Sequence, residues 1–491
     1  MKWQEEYKSK LVTAQEAAKM IKSGDRIVNP LIIKDVTLSR ALFERRNELK
    51  GVKIQRMGHG DNPGWLDPGH EDAFDVMLAL YVGDSARPAL DEKRADFQPG
   101  IFSLEFKTLN ERPPEDRKDV DVLFVVTSPP DRNGFCSFGF DRWAKKEYAQ
   151  KAKTVIAEVD ERQIRTYGDN YIHVSEIDYF VEHTPPLIDD AEVKKILGNI
   201  ESEDRRNKLW EIIKDIEVER RNEWLPILMA VKTESLNFAP KALGTAAPEP
   251  DVKKIAEYVS TIIEDGDVLQ FGGGAPSGQL VSCGVLDGKN DLGIHTEMAC
   301  RGLVKAMWDG MITNKRKNMH RGKAIFTTLM GLSQEEISWC HDNPLIELYG
   351  VNYVTNIKTV SQVNNFVAIN SAISIDLTGQ INAETVFAGR IWNGALGQVD
   401  LHIGATLSKG GKAITCVRST GLRGAISRIV PQHEPGTVVS VPRYFADHIV
   451  SEYGIAKLMG KTQRERAQAL IAIAHPDFRD ELKKEAVKLF G

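Results

Sequence analysis

One structural phrase occurs twice in this chain. Residues 14–28, AQEAAKMIKSGDRIV, place apolar residues at helical spacing, then a Gly24-Asp25 turn, then a short apolar strand. Residues 256–269, AEYVSTIIEDGDVL, repeat that order around Gly266-Asp267. About a hundred residues after each comes a buried-strand run closed by a D-x-x-G turn: VDVLFVVTSPPDRNG up to Gly134 and FVAINSAISIDLTG up to Gly379. Asp25 precedes Asp131 by 106 residues, and Asp267 precedes Asp376 by 109. Such turns recur singly in any α/β protein, but matching order with matching spacing predicts two similar α/β domains, a duplication. The 491-residue length agrees, since single cores stop growing near roughly 250–300 residues.

The expected division is an N-terminal α/β domain over 1–190, a charged helical insertion and linker over 191–245, and a C-terminal α/β domain over 246–491. The stretch 189–232 is dense in charge with Leu, Ile and Trp at helical intervals, which predicts surface helices with a solvated face joining the domains. TAAPEPDV, 245–252, reads as a linker in which Pro248 and Pro250 stop a continuous helix. With 42% hydrophobic and 27% charged residues, a net charge of -5 and no apolar run of transmembrane length, the chain reads as soluble, with neither nucleic acid nor membrane as partner. The N-terminal stretch lacks the apolar core of a secretory signal, so a cytoplasmic location is expected. The five cysteines, Cys136, Cys283, Cys300, Cys340 and Cys416, are scattered and odd in number, which argues for reduced, mostly buried thiols rather than disulfides or a CxxC metal site.

Chemistry is expected where the halves differ. After its strand the second half continues QFGGGAPSGQL, with Gly272, Gly273 and Gly274 in a row, Ala275-Pro276, and a predicted helix start near Ser277. A glycine-rich turn from strand to helix exposes backbone N–H groups and suits a phosphate or a developing oxyanion. The first half has NPLIIKDVT there, without glycine. The pattern does not fit GxGxxG and, taken alone, is equally a tight turn. About twenty-five residues on, LGIHTEMACRGL sets one acid, Glu297, in an apolar stretch. A carboxylate at a strand end beside backbone donors can attack a carbonyl; alternatively, HTEMACRGL opens a helix with Thr296 as N-cap and Glu297 as a first-turn acid.

At this point the residues resemble a family. GIHTEM, SPPDRNGFCSFG (128–139), AINSAISIDLTGQINAE (368–384), GALGQVD (394–400) and SEYGIAKLMGK (451–461) are similar to the acyl-CoA:carboxylate CoA-transferases of the 4-hydroxybutyrate and butyrate:acetate type, related to acetyl-CoA hydrolases. The likeness runs over most of the chain and breaks at the charged segment. It implies a subunit of two similar α/β domains and assembly as a homodimer or dimer of dimers. It places the catalytic nucleophile on Glu297 and the CoA loop on Gly272, Gly273, Gly274, Ala275 and Pro276. Further CoA-binding positions fall on Asn370, Gly394 and Gly397. The implied reaction moves CoA from an acyl-CoA to a small carboxylate through a glutamyl-CoA thioester, with CoA as substrate and no tightly bound cofactor or metal. Acyl-CoA hydrolysis by the same glutamate is the alternative, and a non-catalytic anion-binding relative a third reading.

Neighbouring residues take plainer roles. His295 either orients the site or is hydrogen-bonded structure, Cys300 reads as a core thiol, and Ile294, Met298 and Ala299 either exclude water or fill the core. Arg418, Arg423 and Arg428 either meet anions or form a solvated face. SPPDRNGFCSFG reads as a rigid turn. Three departures from the family pattern bear on the acyl group: the glycine-free NPLIIKDVT, Leu396 where glycine is common, and MACRG after the glutamate.

Overall fold

Strands apolar on both faces belong inside parallel sheets covered by helices. The computed structural model bears this out; it describes residues 2–29, 36–58, 62–81, 86–107, 112–117, 119–238, 248–387 and 389–491. Most of NPLIIKDVT and the start of TAAPEPDV lie outside the described residues. The chain forms two compact units, the first made of Met1–Pro99, Lys107–Ala247 and Ile337–Asn343, the second of Gly100–Phe106, Pro248–Glu336 and Pro344–Gly491.

In the first unit, helix α1 (Ala14–Ala18) begins with a capping box from Thr13 and Glu16 and leads through the Gly24-Asp25 turn to β1 (Arg26–Asn29). The other strands are β2 (Val52–Gly58), β3 (Phe74–Tyr81), β4 (Ala95–Phe97), β5 (Val120–Thr127), β6 (Ala152–Val159) and β7 (Tyr179–Glu182). They form one parallel sheet in the order β7-β6-β5-β1-β2-β3-β4. Between β3 and β5 the chain leaves this unit for one helical turn, α2 (Phe102–Glu105), which belongs to the second. The charged segment forms α3 (Asp190–Gly198), α4 (Glu203–Ile213) and α5 (Arg221–Ala230). Their apolar stripes meet in a separate small core of Val193, Leu197, Leu209, Ile213 and Leu225, which leaves the charges to solvent.

The second unit opens with α6 (Pro250–Ser260), where Pro250 sits at the helix start, a position that needs no N–H. Its sheet contains β8 (Val268–Phe271), β9 (Gly293–Met298), β10 (Ala324–Thr328), β11 (Ile346–Leu348), β12 (Phe366–Ser371), β13 (Lys412–Cys416), β14 (His448–Ser451) and β15 (Gly454–Lys457). The order is β15-β14-β13-β12-β8-β9-β10-β11, parallel except for the β14–β15 hairpin. Without β15 the two sheets have the same topology strand for strand. Helices α7 (Val351–Val354) and α8 (Leu396–Leu407) pack in this unit.

The repeated turns match at the level of single hydrogen bonds. Asp25 accepts from the Lys22 N–H and Asp267 from the Glu264 N–H, both at 2.8 Å, beside Gly24 at φ 84° and Gly266 at φ 89°. In the D-x-x-G turns, Gly134 N–H donates to Asp131 O and Gly379 N–H to Asp376 O, and each aspartate side chain accepts from the N–H two and four residues on. SPPDRNGFCSFG is thus a turn fixed by Asp131 and the left-handed Gly134 at φ 86°. Two units with one topology and the same turn bonds carry the duplication. Among the described residues, no helix is long and apolar enough to cross a membrane.

Candidate active site

Strands β8 and β9 are parallel neighbours and end side by side. Thr296 ties the ends: its hydroxyl lies 3.4 Å from both the N–H and the carbonyl of Phe271 and donates to Met298 O at 3.1 Å. The glycine turn begins at the next residue. Gly272 sits over Asn370, and a Cβ there would lie 2.6 Å from Asn370 Oδ1; at Gly273 a Cβ would meet Met298 Cε at 1.8 Å. Gly278 packs against the carbonyls of Gly272 and Gly273, each 3.1 Å from where its Cβ would be. Ser277 closes the turn, its hydroxyl donating to the carbonyls of Gly272 and Gly274 at 3.1 Å. The N–H groups of Gly273, Gly274 and Ala275 have no acceptor among the described residues, and all three residues are exposed. The Ala275–Pro276 peptide is cis.

The glycine turn does not lead into the expected helix. Two 3-10 turns, Ser277–Gln279 and Val281–Cys283, take its place. After one i to i−4 bond from Gly278 to Gly274 the N–H groups of Gln279, Leu280, Cys283 and Gly284 bond three residues back, and Gly284 turns left-handed at φ 80° and ends the run. The turn therefore presents its N–H groups without an α-helix dipole behind them.

Glu297 lies in strand β9, which removes the helix-cap alternative. Strand alternation places it on the same face as His295, opposite Ile294, Thr296 and Met298. Its carboxyl abuts the first turn of α8: a Cβ on Gly397 would fall 1.9 Å from Glu297 Oε2 and 3.4 Å from the Phe102 ring. The full-length helix α8 thus faces Glu297 with its N-terminal turn, and the Gly397 N–H, an orphan donor at the second helical position, has no acceptor among the described residues. The side chain is half-buried and keeps part of its surface accessible. Burial, and then the charge of Asp400, push its pKa up to about 8.

Asp400 stands one turn along α8 from Gly397 and is fully buried. It accepts from the Ser103 N–H at 3.0 Å and the Ser103 hydroxyl at 2.5 Å. Burial raises its pKa to about 6, against these bonds and one from the Phe102 N–H, which favour the charged form. Leu396 is 4% exposed and packs near Gly100 on the same segment, instead of projecting into open space.

The remaining sequence candidates separate cleanly. Asn370 is buried beneath the turn, paired through both amide atoms with Gln270 and 3.3 Å from His402 Nδ1. Gly394, two residues before Leu396, accepts at its carbonyl from Asn393 Nδ2 at 3.2 Å. His295 is structural: its Nε2 bonds Val354 O at 2.8 Å in α7, and burial lowers its pKa to about 3, so it stays neutral. Cys300 is buried and its thiol pushed up by burial, which keeps it out of thiolate chemistry. Arg418 is committed to Glu249 and Asp251, Arg423 is exposed, and Arg428 is partly buried. Asp400 and Ser103 were not among the sequence candidates.

Known proteins share this frame. Residues 1–188 match the acetyl-CoA hydrolase/transferase N-terminal domain and residues 333–486 the C-terminal domain. The chain is 37% identical over 493 residues to 4-hydroxybutyrate coenzyme A transferase of Clostridium kluyveri, covering 100% of both. It is 33% identical to succinyl-CoA:cyclohexane-1-carboxylate CoA transferase of Geobacter metallireducens, covering 99% of this chain and 97% of that one. The crystal structure of RipA from Yersinia pestis superposes with a TM-score of 0.80 at 28% identity, covering 100% of this chain and 99% of that one. With one topology in both units, a glutamate carboxyl against a helix N-terminus, and these matches across its whole length, the chain belongs to the acetyl-CoA hydrolase/transferase family.

Proposed function

We propose that this enzyme transfers CoA from an acyl-CoA to a free carboxylate, with Glu297 as the nucleophile. The placement of the Glu297 carboxyl against the N-terminal turn of α8 carries the reading. The ionised carboxylate attacks the acyl-CoA carbonyl, the C–S bond breaks, and an acyl-glutamyl anhydride forms with release of CoA thiolate. The thiolate attacks the glutamyl carbonyl, which expels the first carboxylate and leaves a glutamyl-CoA thioester. An incoming carboxylate reverses both steps and departs as its CoA ester.

Each tetrahedral intermediate carries an oxyanion. The unpaired N–H groups of Gly397, Gly273, Gly274 and Ala275 are the donors available to it and to CoA, while Asn370 supports the turn from below. Desolvation and the Asp400 charge raise the basicity of Glu297 and so its nucleophilicity once ionised. The route uses no metal or redox group. Incubation with an acyl-CoA, trapping with borohydride or hydroxylamine, and peptide mapping should find the modification on Glu297. Modification elsewhere, or exchange surviving in Glu297→Ala, overturns the assignment. Thiol released without an acceptor carboxylate, in place of exchange, would assign hydrolysis instead.

A further inference from the structure

A glutamyl-CoA thioester is useful for transfer only while water is kept from it. The segment Gly100–Phe106 reaches this site from the other half of the sequence. Its helix α2 is a single turn with no side-chain cap of its own, and isolated turns of that length are unstable. Within this unit it packs on α7 and on one face of α8, and the α8 face makes three contacts with it. Leu396 lies by Gly100, the Phe102 ring lies across the Gly397 gap from the Glu297 carboxylate, and Asp400 accepts from Ser103. Residues 396, 397 and 400 share a helix face by their spacing. Asp400 takes the Phe102 and Ser103 N–H groups as well as the Ser103 hydroxyl, so a residue 297 positions away caps α2. Phe102 is 1% exposed and closes its side of the gap.

We propose that Asp400, acting through Ser103, is a positioning residue that holds Phe102 against the Glu297 carboxyl and thereby favours CoA transfer over hydrolysis. This rests on Glu297 being the nucleophile. If the clamp loosens, water reaches the thioester. It adds to the glutamyl carbonyl, the C–S bond breaks, CoA leaves as thiol with a proton from the water, and Glu297 is restored carrying one water oxygen.

The test compares wild type, Ser103→Ala, Ser103→Thr and Asp400→Asn. It measures carboxylate-dependent exchange and acceptor-independent thiol release from the same acyl-CoA, with trapping at Glu297 in each. The ratio of hydrolysis to exchange should rise about tenfold in Ser103→Ala and Asp400→Asn, the order expected for losing or weakening one hydrogen bond to a charged group. Ser103→Thr, which keeps the hydroxyl, should stay near wild type. A mild truncation in a separate cluster, Ile471→Val, should leave the ratio alone. An unchanged ratio in Ser103→Ala with the adduct still on Glu297 overturns the clamp while leaving the nucleophile standing, as does an equal rise in Ile471→Val. Failure to trap any adduct on Glu297 in wild type overturns the nucleophile itself. If Asp400→Asn does not fold, Ser103→Ala, which keeps the backbone bond, decides alone.

Discussion

Gly397→Ala separates the work of the Glu297 carboxyl from the stability of the fold. The added methyl would sit 1.9 Å from Glu297 Oε2 and 3.1 Å from its Cδ, and real Cβ contacts do not fall below 3.0 Å. The carboxylate must therefore retreat by more than about 1 Å, a shift of the size that costs roughly 100-fold when it displaces a reacting group. That corresponds to about 2.7 kcal/mol of transition-state stabilisation. Folding should hardly notice. The displaced atoms are the far end of a flexible side chain, Gly397 is in an ordinary helical conformation, and alanine favours a helix by about 0.5–1 kcal/mol over glycine. The assay is kcat/KM for carboxylate-dependent exchange beside a thermal melt. A normally melting Gly397→Ala with wild-type kcat/KM would show that the carboxylate does not react from this position, and would refute the placement argument.

Other perturbations read the same site differently. Glu297 has its pKa raised from 4.5 to about 8, so the folded protein holds a proton that the unfolded chain releases; this contribution is complete below pH 4.5 and is lost as pH rises through about 8. Glu297→Gln should therefore be more stable than wild type at pH 9, by about 1–3 kcal/mol, with little difference at pH 4.5; equal melting at both pH values contradicts this. Since attack needs the carboxylate, kcat/KM should climb with pH along an acid limb near 8, and Asp400→Asn, by removing a neighbouring negative charge, should move that limb to lower pH. An unmoved limb would remove Asp400 from the electrostatics of Glu297. Gly278→Ala sets a methyl 3.1 Å from two backbone carbonyls of the glycine turn. It should raise KM for acyl-CoA more than it lowers kcat, as steady-state kinetics will show.

The parts of this molecule legible in the sequence are those set by local chemistry. A Gly-Asp turn or a D-x-x-G turn needs a left-handed glycine and an aspartate side chain within four residues, so both pairs were visible, and their spacing gave the repeat of one α/β unit. The buried central strands were equally plain, because strands covered on both faces are continuously apolar. The substitution of 3-10 turns for a helix after Pro276 was not, since the groups that meet Gly278 and Ser277 come from the folded turn and from Ser371 at the end of the neighbouring strand β12.

The helix N-terminus expected behind the glycine turn exists, but on α8, about a hundred and twenty residues later, where Gly397 meets Glu297. Nothing local announces that meeting, yet one signal was in reach. The reasoning that singled out Glu297, an acid stranded in an apolar stretch, applies equally to Asp400 in LGQVDLHIGATL, and Asp400 is the other carboxyl at the site. Desolvation raises the pKa of both acids, a cost to folding that partners or a task must offset. Ser103 and Phe102 give Asp400 one that lies in the fold. Glu297 accepts no hydrogen bond among the described residues and its pKa is raised, the state expected of the nucleophile proposed for this position.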